Sequence, residues 1–167
     1  HATVYDVQRD PQLKNRDVIK DTKGQPVFPF VSGGSYKGQW HGDAKRGFGI
    51  QFNKNNTKYE GEWMENRYHG RGTLWVGHGK GGKYTRQYVG EWESGMKQGE
   101  GTYYYEDGRV HRGLWLDSKR NGKGKMEYKN GDVYIGNWTD DQRAGFGSMY
   151  YANGNIYEGY WSSDVKD

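Results

Sequence analysis

Aromatic and small residues alternate with polar ones in short runs along this chain, and the runs recur. Tyr-x-Gly-x-Trp starts at Tyr36, Tyr59, Tyr88, Tyr134 and Tyr157, and a sixth copy, His111-Arg112-Gly113-Leu114-Trp115, has His in the Tyr position. Successive copies are 23, 29, 23, 23 and 23 residues apart. A fixed period of this kind marks stacked structural repeats. The alternation within each run puts Tyr, Gly and Trp on one face of a short strand.

A second mark follows each of the first five runs: Gly47-Phe48-Gly49, Gly70-Arg71-Gly72, Gly99-Glu100-Gly101, Gly122-Lys123-Gly124 and Gly145-Phe146-Gly147. Beyond it the same alternation carries Leu74 and Val76, Tyr103 and Tyr105, Met126 and Tyr128, and Met149 and Tyr151. Asn56, Gly108, Gly131 and Gly154 then stand where a turn needs positive φ. Each repeat therefore reads as two antiparallel strands joined by a loop of about six residues. The fold class expected is all-β, a single domain built as an elongated, twisted antiparallel meander of stacked β-hairpins. At about 4.8 Å per strand it would form a rod on the order of 50–60 Å long.

Counting back from Tyr36, Gly33 falls on the turn position and Phe28 and Phe30 on the two aromatic positions, so residues 24–35 read as half a repeat. Pro26 takes the place of the second Gly and suits an edge strand. The repeat sheet is thus expected over 24–161, with repeats starting at 36, 59, 88, 111, 134 and 157. Residues 1–23 form an extension, with helix signals between Asp10 and Lys20, and residues 162–167 form a tail. The start at His1 suggests a processed or cloned fragment. In the first repeat, Ile50 and Phe52 fall on the face opposite to that of Met149 and Tyr151. Either a bulge shifts the register there or an apolar patch faces outward.

Composition sharpens the picture of the core. Leu, Ile, Val and Phe number only 23 of 167 residues, while 7 Trp, 15 Tyr and 5 Phe are present. The core must be aromatic and thin, in keeping with a mean hydropathy of −1.22. The net charge of +4 is too small to name an anionic partner. There is no Cys, and no apolar run approaches the roughly 18 residues of a membrane-spanning helix.

The repeated Tyr-x-Gly-x-Trp, the charged stretch, the Gly-x-Gly and the closing turn together resemble the MORN (membrane occupation and recognition nexus) repeat family over residues 24–161. Within it, the extended loop at residues 77–87, Gly49-Ile50-Gln51-Phe52 and the run from Met149 to Gly159 are most similar to a sperm and ciliary member. The resemblance implies a non-catalytic scaffold at cytoskeletal or flagellar structures, in the cytoplasm, sometimes dimeric. It also attaches acidic-phospholipid binding to the family, and it allows a third expectation, the regulatory arm of an enzyme lying outside this fragment.

Candidate chemistry is sparse. Gly77-His78-Gly79-Lys80-Gly81-Gly82-Lys83 is close to a phosphate-binding loop, but strand sequence follows it where a helix N-terminus is needed. His1, His41, His69, His78 and His111 have no metal-ligand spacing, and neither a catalytic constellation nor a cofactor is expected. His111 reads as a stacked core ring. Two residues before each Gly-x-Gly come Lys45, Tyr68, Lys97, Arg120 and Arg143. The four cations would form a basic stripe along one edge, a candidate site for acidic phospholipid, although neighbouring Asp and Glu favour a self-neutralised edge. On the face away from Tyr and Trp, Phe48, Ile50, Phe52, Trp75, Tyr104, Phe146, Tyr150 and Tyr160 form the candidate protein-binding surface. The partners expected are proteins, such as a small ciliary or spermatogenesis protein or a cytoskeletal component, and a second copy of the chain; nucleic acid is not expected.

Overall fold

The computed structural model describes residues 19–20, 23–24, 26–30 and 33–167. Among the described residues, fourteen strands follow in chain order. They are β1 (Ile19–Lys20), β2 (Pro26–Pro29), β3 (Ser35–His41), β4 (Ala44–Phe52), β5 (Thr57–Met64), β6 (Arg67–His78) and β7 (Lys83–Glu93). Then come β8 (Met96–Tyr104), β9 (Val110–Leu116), β10 (Lys119–Glu127), β11 (Val133–Thr139), β12 (Gln142–Tyr150), β13 (Ile156–Ser162) and β14 (Val165–Lys166). Within each unit, strands adjacent in sequence are adjacent in the sheet, and the pairing is antiparallel. The chain divides into two compact units. One takes in the described residues up to Arg86 together with Glu93–Gly95; the other is Gln87–Trp92 and Met96–Asp167. The helix signals lie outside the described residues apart from Ile19 and Lys20, which form β1.

The six-residue loop expected inside each repeat is not a loop. Glu65-Asn66, Asp117-Ser118, Asp140-Asp141 and Ser163-Asp164 make two-residue turns with both φ positive, the type that matches the twist of the flanking strands. Pairing then resumes at once and is interrupted by a bulge. Trp63 pairs with Tyr68 and Gly61 with Gly72, so Glu62 alone faces His69, Gly70 and Arg71. The first Gly of each Gly-x-Gly sits in that bulge, with φ between 61° and 97°.

The second Gly has a different task. The Tyr ring of the paired strand lies directly on it, and a Cβ at Gly49, Gly72, Gly101 or Gly147 would overlap the Tyr hydroxyl. The bulge also turns one carbonyl out of the ladder, and the Tyr hydroxyl donates to it. Tyr36 reaches Gln39 O at 2.8 Å, Tyr59 reaches Glu62 O at 2.8 Å, Tyr88 reaches Glu91 O at 3.0 Å and Tyr134 reaches Asn137 O at 2.9 Å.

Tyr36, Tyr88 and Tyr134 each touch two Trp rings edge-on, their own and that of the next repeat. Tyr36 lies 5.1 Å from Trp40 and 5.4 Å from Trp63, and Tyr134 lies 5.2 Å from Trp138 and 5.4 Å from Trp161. His111 continues the series as a core ring, buried edge-on between Trp115 and Trp138 instead of stacked on them. Phe28 pairs with Tyr36 and packs on Trp40, and Gly33 N–H donates to Phe30 O as Gly108 N–H does to Tyr105 O. The first repeat keeps the common register, with Gly38 opposite Gly49. Of the two readings of its phase, the outward apolar patch is therefore the one realised.

Turns also clamp consecutive repeats. Asn66 N–H donates to Lys45 O while Lys45 N–H donates to Asn66 Oδ1; Asp141 and Arg120, and Asp164 and Arg143, repeat the exchange.

Gly72→Ala is expected to lose about 1–3 kcal/mol, because the methyl must displace the Tyr59 ring. Gly79→Ala, where the added Cβ meets nothing and only φ is unfavourable, should lose about 1 kcal/mol. Urea unfolding of the two variants distinguishes them. Burial, helped by Arg120, lowers the His111 imidazole to a pKa of about 3. The unfolded chain protonates near pH 6.5, so the His111 contribution is complete above that pH and is lost as pH falls toward 3. Stability relative to His111→Tyr should decline by up to about 1.4 kcal/mol per pH unit in that window. Parallel urea midpoints from pH 7 to 4 would contradict this.

Candidate functional site

Alternation along the strands decides which side chains face away from the Tyr–Trp core. In the unit ending in β14, Phe146 on β12 pairs with Tyr160 on β13, and their rings meet edge-on at 5.6 Å. They are 51% and 63% exposed, a large apolar area left in water. One row along, Tyr150 pairs with both Val133 and Ile156. Ile135 lies on the same face beside Ser148. Ile135 and Ile156 are exposed and belong to this patch, although only the aromatic residues had been singled out in the sequence. Strict outward alternation around Tyr134 and Tyr157 was the signal available for both.

The same unit shows where the patch ends. Lys123, Lys125 and Glu127 occupy the outward positions of β10, and Arg112 and Lys125 both pair with Glu127. Tyr104, outward on β8, is half-buried and lies opposite Val110, away from the Phe146 cluster.

In the other unit, Phe48 is exposed, Ile50 is half-buried and Phe52 is partly exposed on β4. Phe52 and Trp75 are not bare. Lys58 stands between them in the register, and its ammonium sits 5.9 Å from the Phe52 ring, 4.9 Å from Trp75 and 4.9 Å from Tyr84. Tyr84 comes from the extended second repeat and meets Phe52 edge-on at 6.2 Å. The glycine-rich stretch there is the turn between β6 and β7, with His78 bonded to Thr85 at 2.6 Å. A strand begins at Lys83 in place of the helix N-terminus that a phosphate loop needs.

The four cations do not form an exposed edge. The register sets Lys45 opposite Trp40, Arg120 opposite Trp115 and Arg143 opposite Trp138, which places them on the Tyr–Trp face. Each lies over the Trp ring of the next repeat: Lys45 over Trp63 at 5.3 Å, Lys97 over Trp115 at 5.6 Å, Arg120 over Trp138 at 4.7 Å and Arg143 over Trp161 at 4.6 Å. Arg120 and Arg143 also donate from Nε to Asp141 and Asp164 at 3.1 and 3.0 Å. Burial lowers the Lys97 amine from the usual lysine range. The tight turn is the reason: pairing resumes directly after it, so a position that reads as loop is a strand residue opposite an inward Trp. Tyr68, the fifth member, stacks flat on Tyr59 at 3.8 Å.

The core face carries one concavity that the sequence did not suggest. It holds about 470 Å³ and is lined by Tyr128, Arg143, Met149, Tyr151, Trp161 and Lys166 among others. Lys166 lies over Tyr151 and Tyr157 at 5.0 and 4.9 Å. The equivalent tyrosine one repeat before Tyr128 is Tyr105, whose phenol is pushed up to about 12 by burial. Among the described residues, no group of three or more His, Cys, Asp or Glu is placed to hold a metal ion, and no helix is long and apolar enough to cross a membrane.

Comparison with known proteins bears on this architecture directly. The MORN repeat model matches residues 36–57, 59–80, 88–108, 111–133 and 134–156. No curated protein matches the chain. MORN repeats are generally non-catalytic scaffold modules that mediate protein or phospholipid binding. Five matched repeats spanning most of the sequence, four with the Tyr-on-Gly packing described above and one with His111 in the place of Tyr, put the chain in the MORN-repeat family.

Proposed function

We propose that this chain is a non-catalytic scaffold that captures protein partners through its outward apolar patches. The observation that carries the reading is the exposed, edge-on pair Phe146 and Tyr160, continued by Tyr150, Ile135 and Ile156. Large rings held rigidly on strands lose little conformational entropy on binding, and such residues dominate interface energetics. Phe48, Ile50 and Phe52 offer a second, smaller patch, with Trp75 engaged by Lys58 and Tyr104 set apart. The setting proposed is a ciliary, flagellar or sperm cytoskeletal assembly in the cytoplasm. It rests on the likeness of the extended second repeat and of the run from Met149 to Gly159 to a sperm and ciliary member of the family. A small ciliary protein, a cytoskeletal component or a second copy of the chain is the partner class that this setting supplies.

Acidic phospholipid is the other ligand class of the family, and the geometry favours it less. The cations that would serve it, Lys45, Lys97, Arg120 and Arg143, are spent on rings and on turn carboxylates. The proposal of a regulatory arm for an enzyme outside this fragment would use the same outward patches.

Phe146→Ser with Tyr160→Ser should weaken partner capture from ciliated tissue by about 100-fold or more, at about 2 kcal/mol or more per anchoring ring. The two side chains face water, so the circular dichroism spectrum should be unchanged; undiminished capture by the folded variant would refute the reading. Arg143→Ala should lower the melting temperature by a few degrees, through loss of its ring and Asp164 contacts. It should leave sedimentation with phosphatidylserine vesicles unchanged, and a steep loss of sedimentation would instead favour the lipid reading.

A further inference from the structure

Five of the six ring slots along the repeats hold Tyr; four of the hydroxyls satisfy the carbonyl that the bulge turns out of the ladder, at 2.8–3.0 Å, and Tyr157 donates to the matching Tyr160 O at 3.2 Å. His111 is the exception. It is fully buried, and neither ring nitrogen has a hydrogen-bond partner. Its imidazole is shorter than a phenol and makes no bond to Leu114 O, the carbonyl that corresponds to those the tyrosines reach.

The neighbouring tryptophan shares the loss. Trp63, Trp115 and Trp161 each donate from Nε1 to the carbonyl of the Gly fourteen residues earlier, at 3.0–3.2 Å. Trp138 is equally buried, and its Nε1 has no partner. Its ring has moved toward the smaller imidazole, to 4.9 Å between centroids. The corresponding distances are 5.4 Å for Tyr36 and Trp63, 5.5 Å for Tyr88 and Trp115, and 5.4 Å for Tyr134 and Trp161. Two buried nitrogens, His111 Nε2 and Trp138 Nε1, are therefore unsatisfied beside the glycines on which the sister repeats lay the end of a phenol. Buried polar groups in folded proteins are nearly always paired with protein or with ordered water. Exchanging a phenol for an imidazole leaves a deficit on the order of one water molecule. Gly113 and Gly124 wall the space with bare backbone, and His111 Nε2 faces both of them.

We propose that the His111 slot is a binding site for one buried water molecule, which accepts from Trp138 Nε1, bonds to the His111 ring and donates to Leu114 O. The ligand must be neutral and must both donate and accept. Arg120 is close enough to disfavour a cation there, burial disfavours any charge, and a single imidazole with no carboxylate bonded to it is a poor metal site. The water does for this repeat what the Tyr hydroxyl does for the others, and its partners are fixed by the same bulge.

The test is water-to-protein NMR on the uniformly ¹⁵N-labelled chain. A long-lived water should give a cross-peak to the Trp138 indole proton in the wild type. His111→Tyr should abolish that cross-peak and raise the melting temperature by several degrees, as the hydroxyl takes over Leu114 O and Trp138 swings back toward Gly124 O. His111→Phe, apolar and unable to bond, should also lose the cross-peak but melt below His111→Tyr. A resolved, exchange-protected Trp138 indole with no water cross-peak in the wild type overturns the proposal. So does a folded His111→Tyr variant that keeps the same cross-peak. The wild-type measurement decides the question even if neither variant folds.

Discussion

The contact on which this structure depends is a Tyr ring laid flat on a Gly of the neighbouring strand. With no side chain beneath it, the ring comes close enough for its hydroxyl to reach a backbone carbonyl that the bulge has turned out of the ladder. Its edges then meet two Trp rings, one from each of two consecutive repeats. A single side chain thus satisfies a polar group, fills the core and couples one repeat to the next. That is how a chain with so little aliphatic content sustains a core.

The cations and turn residues reinforce the same coupling from the side. Lys45, Lys97, Arg120 and Arg143 stretch their stems along the face and bring their charge over the next Trp. Asn66, Ser118, Asp141 and Asp164 exchange backbone and side-chain bonds with the preceding repeat. Residues that look like a surface charge pattern are structural. What remains for recognition is the opposite face, where Phe146, Tyr160, Ile135 and Ile156 have no task within the repeats. The division follows from the pleat: one face of each strand is committed to packing, and the other is open to partners.

His111 shows how such a packing code tolerates an exception. Imidazole keeps the edge-on contacts to Trp115 and Trp138 but supplies no hydroxyl, so the polar bookkeeping of that repeat passes to Trp138 and a small molecule. Lys58 is the counterpart on the outer face. It occupies the space among Phe52, Trp75 and Tyr84 that the aromatic pattern alone would leave open, and it ties the extended second repeat to β4 and β5.

The period of the Tyr-x-Gly-x-Trp runs, and the alternation within them, were enough to determine the antiparallel repeats, the inward Tyr, Gly and Trp, and the outward Phe48, Phe146 and Tyr160. Side-chain alternation is a local property of a strand and can be read without knowing its neighbours. The placement of Lys45, Lys97, Arg120 and Arg143 could not be read that way. The stretch between Trp63 and Gly70 is polar and reads as loop, yet two left-handed residues and a three-against-one bulge turn it into strand. Which residue comes to lie opposite each Trp is set by that turn and bulge together, and they exist only once two strands are paired. The same holds for the concavity beside Tyr151 and for Lys58 among its rings. Both are made by residues far apart in the chain, and only the stacking of repeats brings them together.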